Sequence, residues 1–381
     1  MKFKRLFYLT FRGPPPGFTH GLIIGLSKKG WSGVIISDRI DHMDYPLSFG
    51  NFKVLYTSPS YEGGSLIKYP SLMNDALRRE IFRRELIKVL SNDIEPDIIF
   101  IDGPIGVLFT QIPAFFSILG SLSMHKLKPI VIRFLGLNSL YTVYWEKNKA
   151  IRFYYRMEEI FQQQMATKTV FLNKLLFKIF PRLSYKAVYI PIGIDIQVFS
   201  PMPRPITSSK VIVSFVGRLS KENGIHTFIE AVKKVKKDNV KFLVVGSGPL
   251  EYLVMRELKG FDVQILSVAY RDMPQIYAIS DVVVSPTFLE WPSTVTYEAM
   301  ACGKCVIKSK GGIDEIITDG VNGLLFKPGN AEELAEKIRI ASQDEHLRRC
   351  CGENARTLIV KKYNRELEVS RYDSLFLSLI S

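Results

Sequence analysis

Apolar runs of strand length alternate with longer amphipathic stretches, and the alternation occurs twice along the chain. In the first half, short apolar runs fall at 5–9, 33–36, 54–56, 97–101, 129–133 and 169–172, and a helical period fits 22–29, a charged stretch 74–90 and 147–165. The second half repeats the scheme, with strands expected at 211–216, 241–246, 281–284 and 305–308, helices between them, and a final helix at about 365–379. Near-continuous Val, Ile and Leu runs are the mark of strands covered on both faces, as in parallel sheets. Strands alternating with helices in two halves predict an α/β protein with two Rossmann-like, doubly wound domains facing one cleft, with ligand sites at the carboxyl ends of the strands. The break Pro201-Met-Pro-Arg-Pro205 is the expected linker, giving an N-terminal domain 1–200 and a C-terminal domain 206–364. The segment 103–124 carries no charge, but Pro104, Gly106, Gln111 and Pro113 interrupt it, so a core crossover helix is expected there and not a membrane span.

Composition narrows the class. A length of 381 residues suffices for two cores, and 47% hydrophobic with 23% charged residues is the balance of a soluble globular chain. The N-terminus lacks the charged, apolar and small-residue order of a secretory signal, so a cytoplasmic protein is expected. The four cysteines, Cys302, Cys305, Cys350 and Cys351, lack the second knuckle of a zinc site, and free thiols are expected. Charge is uneven: residues 1–200 hold 26 Lys and Arg against 15 Asp and Glu, whereas 201–381 hold 25 against 22. Part of the excess interleaves with apolar residues at 74–90 (Arg78, Arg79, Arg83, Arg84, Lys88) and at 174–186 (Lys174, Lys178, Arg182, Lys186). Such segments suit either an anionic membrane surface, with the protein peripheral at the inner membrane face, or the solvated face of an ordinary helix. No RNA or DNA module motif is present, and nucleic acid is not an expected partner.

The candidate chemistry lies in the second half. Glu290-Trp-Pro-Ser-Thr-Val-Thr-Tyr-Glu298 places two carboxylates across a helix start, with Ser293 suited to cap it. The free N–H groups near Thr294 and Val295, with the helix dipole, attract an anion such as phosphate. Glu298, one turn on, can accept hydroxyl hydrogens, and Glu290 can hold a second polyol. A nucleotide-diphosphate sugar has that layout.

Several ordered motifs join this one. They are Gly217-Arg218-Leu219 with Gly224, Gly246-Ser247-Gly248-Pro249, Tyr277 with Asp281, Gly311-Gly312 with Glu315-Ile316-Ile317, and Gly320-Val-Asn-Gly323. Together they resemble the second domain of the retaining glycosyltransferases of family 4, from Val211 to about Leu325. The resemblance implies the GT-B architecture and the transfer of a hexose, with retention, from a nucleotide-sugar donor to an acceptor hydroxyl; the basic first domain favours a glycan or lipid-linked acceptor. It also implies that Arg218 acts on the diphosphate, that Gly217, Gly246, Gly248, Ser293, Thr294, Val295, Glu290 and Glu298 hold the donor, and that the last helix returns to the first domain. The family lysine before Gly224 is Asn223 here, which leaves Lys221 as the candidate second cation. Without an acidic pair suited to a divalent ion, metal-independent chemistry and no resident cofactor are expected, with the helix end and basic side chains carrying the charge.

Signals in the first half are weaker. Gly13-Pro14-Pro15-Pro16-Gly17 takes the place of the family's glycine loop, and His20 follows it at a helix start. His20 suits a general base in an inverting enzyme, or a packed or capping role. Arg133 suits either an acceptor phosphate or a salt bridge. The departures at Asn223 and at the proline-filled loop also admit a catalytically silent, sugar-nucleotide-binding partner subunit.

Overall fold

The computed structural model describes residues 4–10, 18–37, 48–56, 96–102, 128–134, 149–203, 209–235, 239–288, 293–311 and 316–381. The expected helices at 74–90 and 103–124, together with Gly13, Gly17 and Glu290, lie outside the described residues. The chain divides into one unit that runs to Pro191 and includes Glu368–Ser381, and a second unit, Ile192–Leu367.

The first unit holds an eight-stranded sheet in the order β3-β4-β2-β1-β5-β6-β7-β8. Its strands are β1 (Lys4–Thr10), β2 (Trp31–Ser37), β3 (Ser48–Phe49), β4 (Phe52–Tyr56), β5 (Ile98–Asp102), β6 (Ile130–Phe134), β7 (Lys168–Phe171) and β8 (Ala187–Tyr189). All pair in parallel except the short β3, which runs antiparallel to β4. Helix α1 (Phe18–Lys28) joins β1 to β2, α2 (Lys149–Met165) precedes β7, and α3 (Leu175–Ile179) with a 3-10 turn (Pro181–Lys186) leads into β8. The core combines Leu6, Tyr8, Phe100 and Val131 of the sheet with Val369, Tyr372 and Phe376 of the C-terminal segment. Each such fully buried large side chain contributes about 1.5–3 kcal/mol. The edge of Trp31 meets the Phe376 ring at 5.4 Å, and its Nε1 donates to Asp373 Oδ1 at 2.8 Å.

The second unit is a six-stranded parallel sheet in the order β11-β10-β9-β12-β13-β14. Its strands are β9 (Val211–Val216), β10 (Val240–Val245), β11 (Val263–Leu266), β12 (Val282–Ser285), β13 (Cys305–Ser309) and β14 (Leu324–Phe326). Its described helices are α4 (Ile225–Lys234), α5 (Glu251–Glu257), α6 (Met273–Ile279), α7 (Thr294–Ala301), α8 (Ala331–Gln343) and α9 (Glu345–Lys362); α10 (Arg365–Ile380) then closes the chain. From β9 the chain builds outward to β10 and β11, then returns to the other side of β9 for β12, β13 and β14. The topological switch therefore lies between β9 and β12, and in such sheets the loops leaving these two strands define the ligand crevice.

The prolines at 201–205 do not mark where the two units part. Residues 192–203 belong to the second unit, where the Ile194 N–H donates to the Tyr363 carbonyl and the Arg365 N–H donates to the Ile194 carbonyl. The Arg356 guanidinium adds bonds to the carbonyls of Ile196, Phe199 and Ala301. These bonds tie the segment to the end of α9.

Candidate functional site

Three loops of the second unit are laced together at the carboxyl end of its sheet. After β9 the chain turns through Gly217 and Arg218 to Gly224, which caps α4 with φ of 74°. A Cβ on Gly224 would lie 1.9 Å from the Pro286 carbonyl oxygen, so only glycine lets this loop lie against the loop after β12. The Phe288 N–H donates to the Glu222 carbonyl across the same junction. The β10 loop joins from the other side, where the Leu219 N–H donates to the Ser247 carbonyl and the Leu250 N–H to the Leu219 carbonyl. Gly246, with φ of 140°, has no room for a Cβ, which would lie 2.0 Å from the Gly217 carbonyl oxygen. Gly246 and Gly248 thus serve the close approach of one loop backbone to another.

Helix α7 begins where the switch point requires. Ser293 adopts extended backbone and its hydroxyl accepts the Thr296 N–H, which leaves the N–H groups of Thr294 and Val295 without an intrahelical partner by position. Thr294 and Val295 are half-buried, and the next five residues are buried. The Ser285 and Ser293 hydroxyls approach to 3.4 Å, and Ser309 Oγ donates to the Thr287 carbonyl, so the end of β13 braces the same loop.

Glu298 is only 3% exposed. Its Oε1 accepts from the Tyr270 hydroxyl and its Oε2 from the Tyr277 hydroxyl, both at 2.8 Å. Phe199 sets an edge against both tyrosine rings, at 5.8 and 6.0 Å between centroids. Burial raises the Glu298 pKa, and the two hydroxyl bonds and the Arg365 charge pull it down without cancelling that rise. Both tyrosine hydroxyls are pushed up by burial and by the adjacent carboxylate, so they remain donors. Tyr277 lies in a motif legible from sequence. Tyr270, in a short 3-10 turn (Tyr270–Asp272), carries no sequence signal beyond being aromatic.

The cations differ in placement. Arg218 and Lys221 are exposed on the β9 loop. Asn223, which stands where the family has lysine, donates its amide to the Arg218 carbonyl at 2.9 Å and so braces the loop backbone. Asp281 joins β12 to β9 at the end of the sheet opposite the crevice: its carboxylate accepts the Ile212 N–H at 2.7 Å, and its own N–H donates to the Ile212 carbonyl.

In the first unit, His20 lies in the first turn of α1. Arg133 has no exposure, and its Nη1 lies 3.7 Å from Oε1 of Glu368, itself 1% exposed. Arg133 Nη2 donates to the Tyr8 hydroxyl, and the guanidinium lies over the Phe100 and Tyr372 rings. Of the two roles read for Arg133, the structure contains the salt bridge.

The four cysteines are free thiols, and Cys302 is pushed up to about 12 by burial. Among the described residues no group of three or more His, Cys, Asp or Glu side chains is arranged to hold a metal, and no helix is long and apolar enough to cross a membrane.

Residues 201–358 match the family model of glycosyl transferases group 1. The capsular polysaccharide biosynthesis glycosyltransferase CapM of Staphylococcus aureus is 30% identical over 179 residues, which are 45% of this chain and 47% of CapM. The chain spans about half the length of the curated relatives it matches. Sucrose-phosphate synthase from Thermosynechococcus elongatus superimposes with a TM-score of 0.80 at 18% identity, over 99% of both chains. HepE of Anabaena, solved with UDP and glucose, superimposes with a TM-score of 0.75 at 19% identity, over 99% of this chain and 100% of HepE. At these identities the likeness concerns the fold, which is GT-B.

Proposed function

We propose that the protein is a retaining glycosyltransferase that moves a hexose from a nucleoside-diphosphate sugar to a hydroxyl of a glycan or lipid-linked acceptor, with no metal ion and no resident cofactor. The observation that carries the reading is Glu298: a buried carboxylate, fixed by two tyrosines, one turn inside a capped helix at the switch point of a group 1 domain. A carboxylate so fixed retains lone pairs for the two ribose hydroxyls of a nucleotide. The N-terminal N–H groups of α7 suit the diphosphate, and Gly217, Gly246 and Gly248 keep the neighbouring backbone close by. Glu290 would hold the donor sugar. The presence of UDP and glucose in HepE and the capsule role in the name of CapM support a donor and an acceptor of these classes.

In the proposed chemistry the bond from the anomeric carbon to the leaving phosphate breaks while the acceptor oxygen bonds to the same face. The acceptor proton passes to the departing phosphate oxygen. Arg218, Lys221 and the end of α7 stabilise the charge that grows on that phosphate, the place where preorganised donors have their largest effect. The reading includes a cytoplasmic, peripheral position at the inner membrane face, supported by the basic excess of the first half.

One observation favours a second reading, a silent nucleotide-sugar-binding subunit: Asn223 brings no charge and is spent on the loop backbone. Incubation of the purified protein with UDP-, GDP- and ADP-sugars and an acceptor panel separates the two. Product with the donor's anomeric configuration supports the proposal, an inverted product assigns the chemistry to a base such as His20, and tight binding without turnover selects the silent subunit.

A further inference from the structure

The described side chains of helix α2 reverse the usual arrangement. Among its described side chains, the core holds Glu159, Gln162 and Gln163, each at most 1% exposed, while Phe153 is 68%, Met157 47% and Met165 37% exposed. Spacings of four and eight residues put these three on one broad side of the helix. A helix of a soluble domain ordinarily shows the reverse arrangement, and grouped exposed apolar side chains mark a contact surface.

The next elements pack beside α2. Lys186 Nζ donates to the carbonyls of Gln164 and Ala166 at 2.7 and 2.9 Å, which closes the end of α2 against the 3-10 turn. The Arg156 guanidinium lies 4.0 Å from the centre of the Phe180 ring. These contacts bring α3 and its exposed Lys174 and Lys178 side chains beside α2, together with Tyr185, which is 71% exposed. From Lys149 to Tyr189 the chain has eight Lys and Arg against two carboxylates, and one of those, Glu159, is in the core.

We propose that this face docks on an anionic phospholipid surface, with Phe153, Met157 and Tyr185 entering the headgroup boundary and the lysines meeting lipid phosphate. The proposal rests on the peripheral-membrane part of the reading above and not on the transfer chemistry. Charge argues against a second copy as the occupant, since a two-fold contact through this patch sets lysine against lysine.

The test is co-flotation of the full chain with vesicles of phosphatidylcholine alone and of phosphatidylcholine with phosphatidylglycerol in equal parts, at low and raised salt. Binding is expected only to the anionic vesicles, and should weaken with salt. The Phe153→Ser/Met157→Ser variant should lose about tenfold or more in vesicle partition. Lys174→Glu/Lys178→Glu, which leaves the apolar side chains in place, should lose binding as well. Unchanged melting temperature and unchanged nucleotide-sugar affinity in both variants confine the effect to the surface. Wild-type protein that ignores anionic vesicles while binding a nucleotide sugar overturns the surface proposal alone. Variants that partition like wild type overturn it too, as does a dimer by light scattering that Phe153→Ser dissolves.

Discussion

Tyr270 and Glu298 are joined by a 2.8 Å hydrogen bond from the phenolic hydroxyl to Oε1, which ties the loop after β11 to the first turns of α7. Tyr277 holds the other carboxylate oxygen. The side chain proposed to receive the ribose is therefore oriented before any ligand arrives. Tyr270→Phe should weaken nucleotide-sugar binding by about threefold to tenfold, the usual net worth of one hydrogen bond, since Tyr277 still holds the carboxylate. Titration calorimetry on the variant checks it; unchanged affinity would mean that Tyr270 does not position Glu298 for a ligand.

Burial raises the Glu298 pKa above that of the unfolded chain, near about 4.3. A carboxyl raised in the folded state adds stability below the unfolded pKa, and that contribution is lost as pH rises through the folded value. Glu298→Gln should therefore lose less stability than wild type as pH rises from the acid range toward neutrality, in urea unfolding at a series of pH values. Nucleotide affinity should move in the opposite direction, falling as pH drops through the raised pKa, because hydroxyls bond better to the ionised form. An affinity that stays flat from neutral to acid pH would contradict this.

Gly224→Ala forces a Cβ to within 1.9 Å of the Pro286 carbonyl oxygen at a positive φ. Strain of this kind costs about 1–3 kcal/mol, so the variant should melt several degrees lower and lose donor affinity as the two loops separate. A variant with wild-type melting would show that the loops need not touch.

Arg133 and Glu368 are both buried, so removal of one takes an opposite charge away from the other. Arg133→Met alone should cost about 3–5 kcal/mol, and Arg133→Met with Glu368→Gln should recover much of it. Unfolding free energies of the two singles and the double give the coupling. Additive losses would show that the pair is not what fixes residue 368 in the first unit's core.

Arg218 is exposed, so Arg218→Ala should leave melting unchanged while lowering kcat by about 100-fold to 1,000-fold, the usual loss when one donor to a developing negative charge is removed. Lys221→Ala should have a smaller effect on the same assay. Equal kcat in wild type and Arg218→Ala would remove Arg218 from the chemistry.

The strands legible in the sequence are mostly those covered on both faces. β9 is found at the residues expected, and β10, β12 and β13 within a residue or so, because each is a buried run centred on Val or Ile. The strands missed are β3, β8, β11 and β14, which are the two outer strands of each sheet. β8 (Ala187-Val-Tyr189) and β14 (Leu324-Leu-Phe326) are apolar but only three residues long and β3 has two, too short for a periodic signal, whereas β11 is interrupted by the exposed Gln264. The Pro201–Pro205 composition reads as a boundary, yet Ile194, before it, is held by backbone bonds to Tyr363 and Arg365 between α9 and α10, and such long-range pairings leave no local trace. At the site, Ser293, Thr294 and Glu298 were readable because capping and helix spacing are local rules. Tyr270 was not, because its bond to Glu298 spans 28 residues and depends on the fold of the loop. The reversed arrangement of the described α2 side chains was hidden for a related reason: its periodicity shows that two faces exist, and only packing shows which one is buried.

The most direct measurement is a calorimetric titration of UDP-, GDP- and ADP-sugars into the wild-type protein and into Glu298→Gln, which preserves shape and removes charge. Saturable binding of one donor class by wild type, weakened at least about tenfold in the variant, is the predicted result. Equal affinity in the two proteins, or no binding of any donor by a folded wild type, would contradict the account.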